Sequence, residues 1–156
     1  MLALIREIDR DNSTNVWRYG NKSKTEAVLD YIFKSSSFYG DLKSGRKKLP
    51  DILNESAGGG ILSLSSKICK YLSEYEFCAD NFFIYDSYVR ALIGFYYDEY
   101  VSKTHHFTTT KNITYEELFD LLEQILKNAR IKDSNPSLKR SELDHLIWYC
   151  YKSFEL

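Results

Sequence analysis

The stretch that most constrains the fold is residues 58–97, GGGILSLSSKICKYLSEYEFCADNFFIYDSYVRALIGFYY. Three consecutive glycines open it, and glycine reaches backbone conformations closed to other residues, so the triplet predicts a loop. Ile61, Leu64, Ile68, Tyr71, Leu72 and Tyr75 then recur at helical spacing and predict a helix with one buried side. Lys67 and Lys70 lie off the centre of that apolar stripe. A connector follows, holding Cys78 and the turn-favouring Asp80 and Asn81. The apolar run Phe82, Phe83, Ile84, Tyr85 must then anchor in a core. Asp86 ends the run and stands where a helix N-cap stands, ahead of Ser87, Tyr88, Val89 and Arg90.

The flanking segments read the same way. Leu2, Leu4 and Ile5 suggest a short helix or arm, followed by a polar turn over residues 9–15 and then by Trp17, Tyr19 and Gly20. A helix is expected over residues 23–33 with Ala27, Val28, Tyr31 and Ile32 inward. DLKSGRKKLP, with Lys43, Arg46, Lys47 and Lys48 around Gly45, reads as a basic loop, and Pro50 suits the first turn of a helix. The apolar pattern lapses over residues 98–111, where His105 and His106 predict an exposed loop and Thr108, Thr109 and Thr110 a brief extended segment. Residues 114–130 carry a capping box, Thr114 with Glu117, and an inner stripe of Leu118, Leu121, Leu122, Ile125 and Leu126. After a turn at Pro136, Ser141 with Asp144 opens a last helix whose Leu143, Leu146, Ile147, Cys150 and Phe154 face inward. The sum is an all-α chain, read as one compact helical-bundle domain over residues 1–156.

Composition then removes whole classes. With 44% hydrophobic and 15% aromatic residues in 156, the chain can bury a sizeable core. Its 21 basic and 22 acidic side chains leave a net charge of −1, which argues against nonspecific polyelectrolyte binding but leaves room for a local basic face. Cys69, Cys78 and Cys150 are odd in number and have no metal spacing, so reduced thiols in a cytoplasmic protein are expected, with no iron–sulfur cluster. Adjacent histidines cannot share one helical face, and no third ligand stands at metal spacing, so no metal and no cofactor are expected. No apolar run approaches the length of a membrane span, and the start turns charged after five residues, which argues against a secretory signal. No Gly-x-Ser-x-Gly elbow or Walker-type phosphate loop occurs, and neither Lys67 nor Lys70 has a serine three residues before it.

The order of glycines, Lys67 in Leu64-Ser65-Ser66-Lys67, an apolar run, and Asp86 in Ile84-Tyr85-Asp86-Ser87-Tyr88-Val89 resembles the helix-hairpin-helix DNA glycosylases, particularly the 8-oxoguanine DNA glycosylase branch. In that family a hairpin glycine motif precedes the catalytic lysine and an aspartate follows about twenty residues later; here Asp86 follows Lys67 by nineteen. The resemblance covers residues 58–97, and its hairpin is altered: Gly58, Gly59 and Gly60 lie seven to nine residues before the lysine in place of a compact Gly-x-Gly.

The resemblance implies excision of a damaged or modified base from DNA, with Lys67 as the nucleophile that forms a Schiff base and Asp86 as its electrostatic and proton-handling partner. A neutral amine is required, so the site must lower the lysine's affinity for its proton by desolvation or a nearby cation, for which Lys70 is placed. Arg46, Lys47, Lys48, Gly59, Gly60, Ser65, Ser66, Lys70 and Arg90 are the candidate phosphate contacts. Phe83, Tyr85, Tyr88 and Trp148 are the candidates to sandwich a flipped base. Each feature also has a plainer reading: Asp86 as a cap alone, the lysines as solvated side chains, the glycines as a flexible loop, and residues 41–50 as a solvated linker. These readings make the chain a catalytically silent helical module that binds DNA or a protein partner, or a small helical subunit of a defence or toxin–antitoxin system.

Overall fold

The computed structural model describes residues 1–11, 22–103 and 113–154. Among them are eight helices and no strand, so the chain is all-α. The described helices fall into two compact units, Met1–Phe82 and Phe83–Leu156. The boundary falls inside the apolar run, between two fully buried phenylalanines.

The first unit holds α1 (Leu2–Asp11), α2 (Lys22–Lys34), α3 (Phe38–Ser44), α4 (Leu49–Ser56) and α5 (Leu62–Phe77). Helix α5 is its centre, packed against α1, α3 and α4, while α2 packs on α4. Seven successive α5 residues from Leu64 to Lys70 are therefore buried, polar and apolar alike, where the sequence pattern predicts one buried side. Tyr75, assigned to the inner stripe, is instead exposed beyond the packed half of the helix.

The segment read as a basic loop, residues 41–50, begins inside α3. Leu42 is fully buried and anchors it, and Gly45 ends it in the left-handed conformation (φ 69°), its N–H bonded to the Leu42 carbonyl at 3.2 Å. Pro50 lies in the first turn of α4, as its missing N–H favours. A five-residue turn at 57–61 joins α4 to α5, so the two run antiparallel. Gly58, Gly59 and Gly60 all take positive φ there, which only glycine adopts without strain.

The second unit holds α6 (Ser87–Tyr100), α7 (Tyr115–Lys132) and α8 (Arg140–Phe154), with α6 packed on both others. The capping box that opens α7 is present in both halves: Glu117 N–H donates to Thr114 Oγ1 at 3.2 Å, and Thr114 N–H donates to a Glu117 carboxylate oxygen at 2.9 Å. Helix α8 starts a residue earlier than Ser141, and its first turn is closed by the Lys139 N–H donating to Glu142 at 2.7 Å. Leu143 and Ile147 form its inner face with Asp144, while Leu146, expected inward, is exposed. The histidine and threonine segment at 105–110, and Trp17, Tyr19 and Gly20, lie outside the described residues, as does the Phe154 side chain.

Candidate functional site

The two residues proposed for chemistry fall in different units, and each is built by its own surroundings. Lys67 stands in the second turn of α5, 5% exposed, among Leu64, Ile68 and Cys69, all fully buried. The helical hairpin brings it there. Asn54 on α4 ties down the turn, its carbonyl accepting the Gly59 N–H at 2.8 Å and its Oδ1 the Ile61 N–H at 2.8 Å. Lys24 of α2 closes the outer side, donating to the Gly59 carbonyl at 2.7 Å. Ile61 supplies no side-chain cap, so the N–H groups that open α5 are not satisfied by a capping side chain.

Asp86 sits at the N-cap of α6 with extended backbone (φ −145°, ψ −175°). One carboxylate oxygen accepts the N–H groups of Tyr88 at 3.0 Å and Val89 at 2.9 Å. That is the cap the sequence predicts. Upstream, the Phe83–Tyr85 segment is held without secondary structure by side chains: Tyr115 bonds both backbone groups of Phe83, and the Ile84 N–H donates to Asp144 Oδ2 at 3.2 Å.

The proposed DNA contacts divide. The Ser65, Ser66 and Lys70 side chains, expected to face a ligand, are buried in the first unit together with Lys67. Ser66 donates to the Ser63 carbonyl at 3.0 Å, and the Ser65 hydroxyl has no hydrogen-bond partner. Lys70 is neutralised by Glu74 at 3.1 Å and by Asp80, so it pins the connector after α5 instead of contacting a ligand. Arg46 is exposed but bound to Asp41 at 3.0 Å. Lys47 is half-buried, Lys48 exposed, Gly59 and Gly60 line the hairpin turn, and Arg90 is half-buried on α6.

Of the base-pocket candidates, Phe83 is fully buried and Tyr85 nearly so, so both are core residues. Phe83 packs edge-on against Phe119 (centroids 5.3 Å apart), with the Arg140 guanidinium 5.7 Å from its ring; Arg140 also binds Glu123 at 2.5 Å. Tyr88 remains half-exposed two residues after Asp86, with the Tyr151 ring 4.6 Å and the Lys152 ammonium 5.3 Å away. Trp148 is exposed and lies edge-on to Tyr149.

Pattern reading missed the buried acids. Asp9, Asp51 and Asp144 are each less than a tenth exposed, yet in sequence they look like ordinary surface positions. Asp51 follows Pro50, where an acid is expected simply to favour a helix start. Cys69 is closed to thiol chemistry: the residue is fully buried, and burial pushes its thiol well above the usual range. Among the described residues no cluster of His, Cys, Asp and Glu is placed to hold a metal ion, and no helix is long and apolar enough to cross a membrane. Comparison with protein-family models, curated proteins and solved structures found no match to the chain.

Proposed function

We propose that the chain acts on DNA as a glycosylase with associated lyase chemistry, removing a damaged or modified base. The observation that carries the reading is local: a lysine held in the second helix of a glycine-turned helical hairpin, followed by an aspartate that caps the next helix. In this reading α4, the turn and α5 form the helix-hairpin-helix-like element that the sequence resemblance implies. Backbone N–H groups at the start of α5, which no capping side chain takes, would face a phosphate there, beside the Lys24 ammonium that reaches the Gly59 carbonyl.

The roles follow from side-chain chemistry. As a neutral amine, Lys67 attacks the sugar C1′; the C1′–N bond breaks, and the base leaves with the bonding pair and is protonated by water. Ring opening gives the Schiff base, and β-elimination then cuts the strand. The resemblance assigns Asp86 the negative charge that supports a cationic sugar. Its cap role does not compete with this, because both N–H groups bond one oxygen, Oδ1. Tyr88 and Trp148 are the aromatic candidates still open to solvent.

A second reading rests on the surface of the second unit. Phe95 is 60% and Tyr149 64% exposed, and Trp148 and Leu146 are also open. Exposed aromatic side chains of this kind serve protein recognition, and this favours a noncatalytic binding module.

Borohydride trapping separates the two. Wild type and Lys67→Gln are incubated with duplexes carrying 8-oxoguanine or an abasic site. A covalent adduct in wild type that disappears in the variant is expected. No adduct across a panel of lesions, from folded protein, overturns the enzyme reading and leaves the binding module.

A further inference from the structure

We infer that Asp51 is the buried counter-charge of Lys67 and the acceptor of its proton. The pairing is built into the α4–α5 hairpin. Asp51 stands five residues before the last residue of α4, and Lys67 stands five residues after the first of α5. At 1.5 Å of rise per residue, each is about 7.5 Å from its end of the turn, so the two occupy the same level of two antiparallel, packed helices. Both are buried, Asp51 at 8% and Lys67 at 5% exposure. Aspartate and lysine reach such burial almost only when paired, because an isolated charge is too costly to strip of water. Neither of the two is without a partner.

The other charged groups around α5 are accounted for as follows. On α3, Asp41 is held by Arg46 at 3.0 Å and Ser37 at 3.1 Å. On α5 itself, Lys70 is neutralised by Glu74 and Asp80. Glu55 on α4 is exposed, and Lys47, half-buried, stands one helical turn before Asp51 at the outer end of α4. On α1, Arg6, Glu7 and Arg10 are exposed, and Asp9, 3% exposed, is the rival counter-charge. Asp51 is preferred because the hairpin turn fixes its level against Lys67, whereas no such connection fixes α1.

The arrangement has a chemical use. Transfer of one proton breaks an N–H bond of the Lys67 ammonium and makes an O–H bond on Asp51. The pair carries no net charge before or after, so the amine becomes nucleophilic without leaving an uncompensated charge in a desolvated place. The pairing itself is independent of what the protein does; its use as a proton acceptor rests on the glycosylase reading above.

The test is an NMR titration of the Lys67 side-chain nitrogen in the full chain, comparing wild type, Asp51→Asn and Asp9→Asn. Loss of a neighbouring carboxylate disfavours the ammonium, so Asp51→Asn moves the Lys67 midpoint down by about one to three pH units, and Asp9→Asn leaves it in place. An unchanged midpoint in Asp51→Asn, or a shift confined to Asp9→Asn, overturns the inference. Should Asp51→Asn fail to fold, the double variant Lys67→Met/Asp51→Asn decides. Regained folding supports the pair, since the stranded ammonium is gone, and continued failure overturns it. Borohydride trapping on wild type keeps the two claims apart. A midpoint shift without any trapped adduct leaves the pair standing and removes its catalytic use.

Discussion

The Tyr115 hydroxyl makes two hydrogen bonds to a single residue, accepting the Phe83 N–H at 2.9 Å and donating to the Phe83 carbonyl at 2.8 Å. It thereby does for an irregular segment what a neighbouring strand would do. Both residues are fully buried, so water cannot replace the bonds. Tyr115→Phe keeps the ring and strands two buried backbone groups, each costing about 1–3 kcal/mol. The expected loss is about 2–4 kcal/mol in urea unfolding, from two such groups with partial relaxation. A loss well under 1 kcal/mol would show that the segment finds other partners.

Two glycines of the first unit should respond to alanine with opposite signs. Gly45 has φ 69°, and a Cβ there would sit 3.2 Å from Cβ and Cγ of Asn81, whose amide donates to the Lys43 carbonyl at 3.0 Å. Gly45→Ala is expected to destabilise by about 1–2 kcal/mol from the left-handed backbone alone, and by more if Asn81 cannot shift. Gly40 lies inside α3 with nothing within 4 Å of its Cβ position, so Gly40→Ala should stabilise by about 0.5–1 kcal/mol. Denaturant melts of the two variants, measured side by side, check the signs.

Features written in adjacent residues were legible in the sequence. Asp86 as a cap, the Thr114–Glu117 box, Pro50 in a first turn and the all-α class each follow from local stereochemistry. What was hidden depends on packing partners far along the chain. Periodicity leaves Lys67 and Lys70 off the centre of the apolar stripe, but α1, α3 and α4 enclose α5 from several directions and bury them with Ser65 and Ser66. Asp80, ten residues on, is what lets Lys70 be buried, and no spacing rule marks that pair. Helix α3 was hidden because it is only seven residues long, and its two buried anchors, Phe38 and Leu42, are separated by Gly40 and followed by a run of charges. Of the candidate site, Lys67 and Asp86 are legible in the sequence, whereas the burial of Asp51 is seen only once α4 and α5 are folded against each other.

Tyr96 should make the second unit sensitive to alkali. Burial, and then its hydrogen bond with Cys150, raise the phenol well above its ordinary value of 10.0. A group whose folded-state value is raised contributes stability that is complete below the unfolded value. That contribution is lost as pH rises past 10.0, because only the unfolded chain gives up the proton readily. Tyr100, raised by burial and by its bond to Asp133, adds in the same direction. Urea unfolding of wild type and Tyr96→Phe at increasing pH should therefore diverge above pH 10.0, with wild type falling faster. Parallel curves would mean that the ring ionises as easily in the folded protein as in the unfolded chain.

Asp86 has a structural task that geometry fixes and a chemical one that the proposed function assigns, and three variants separate them. Asp86→Ala removes the acceptor of the Tyr88 and Val89 N–H groups and should cost about 1 kcal/mol of stability. Asp86→Asn keeps an oxygen at the N-cap, where asparagine ranks beside aspartate, so its unfolding midpoint should stay near wild type. It removes the negative charge. If that charge supports a cationic sugar in the transition state, trapping or strand cleavage by Asp86→Asn should fall by about a hundredfold or more, although the fold is intact. Asp86→Ser is the matching control, capping as well as asparagine and equally uncharged, and it should share the loss. Activity that instead follows stability, with asparagine and serine near wild type and alanine alone impaired, would make Asp86 a helix cap and nothing more.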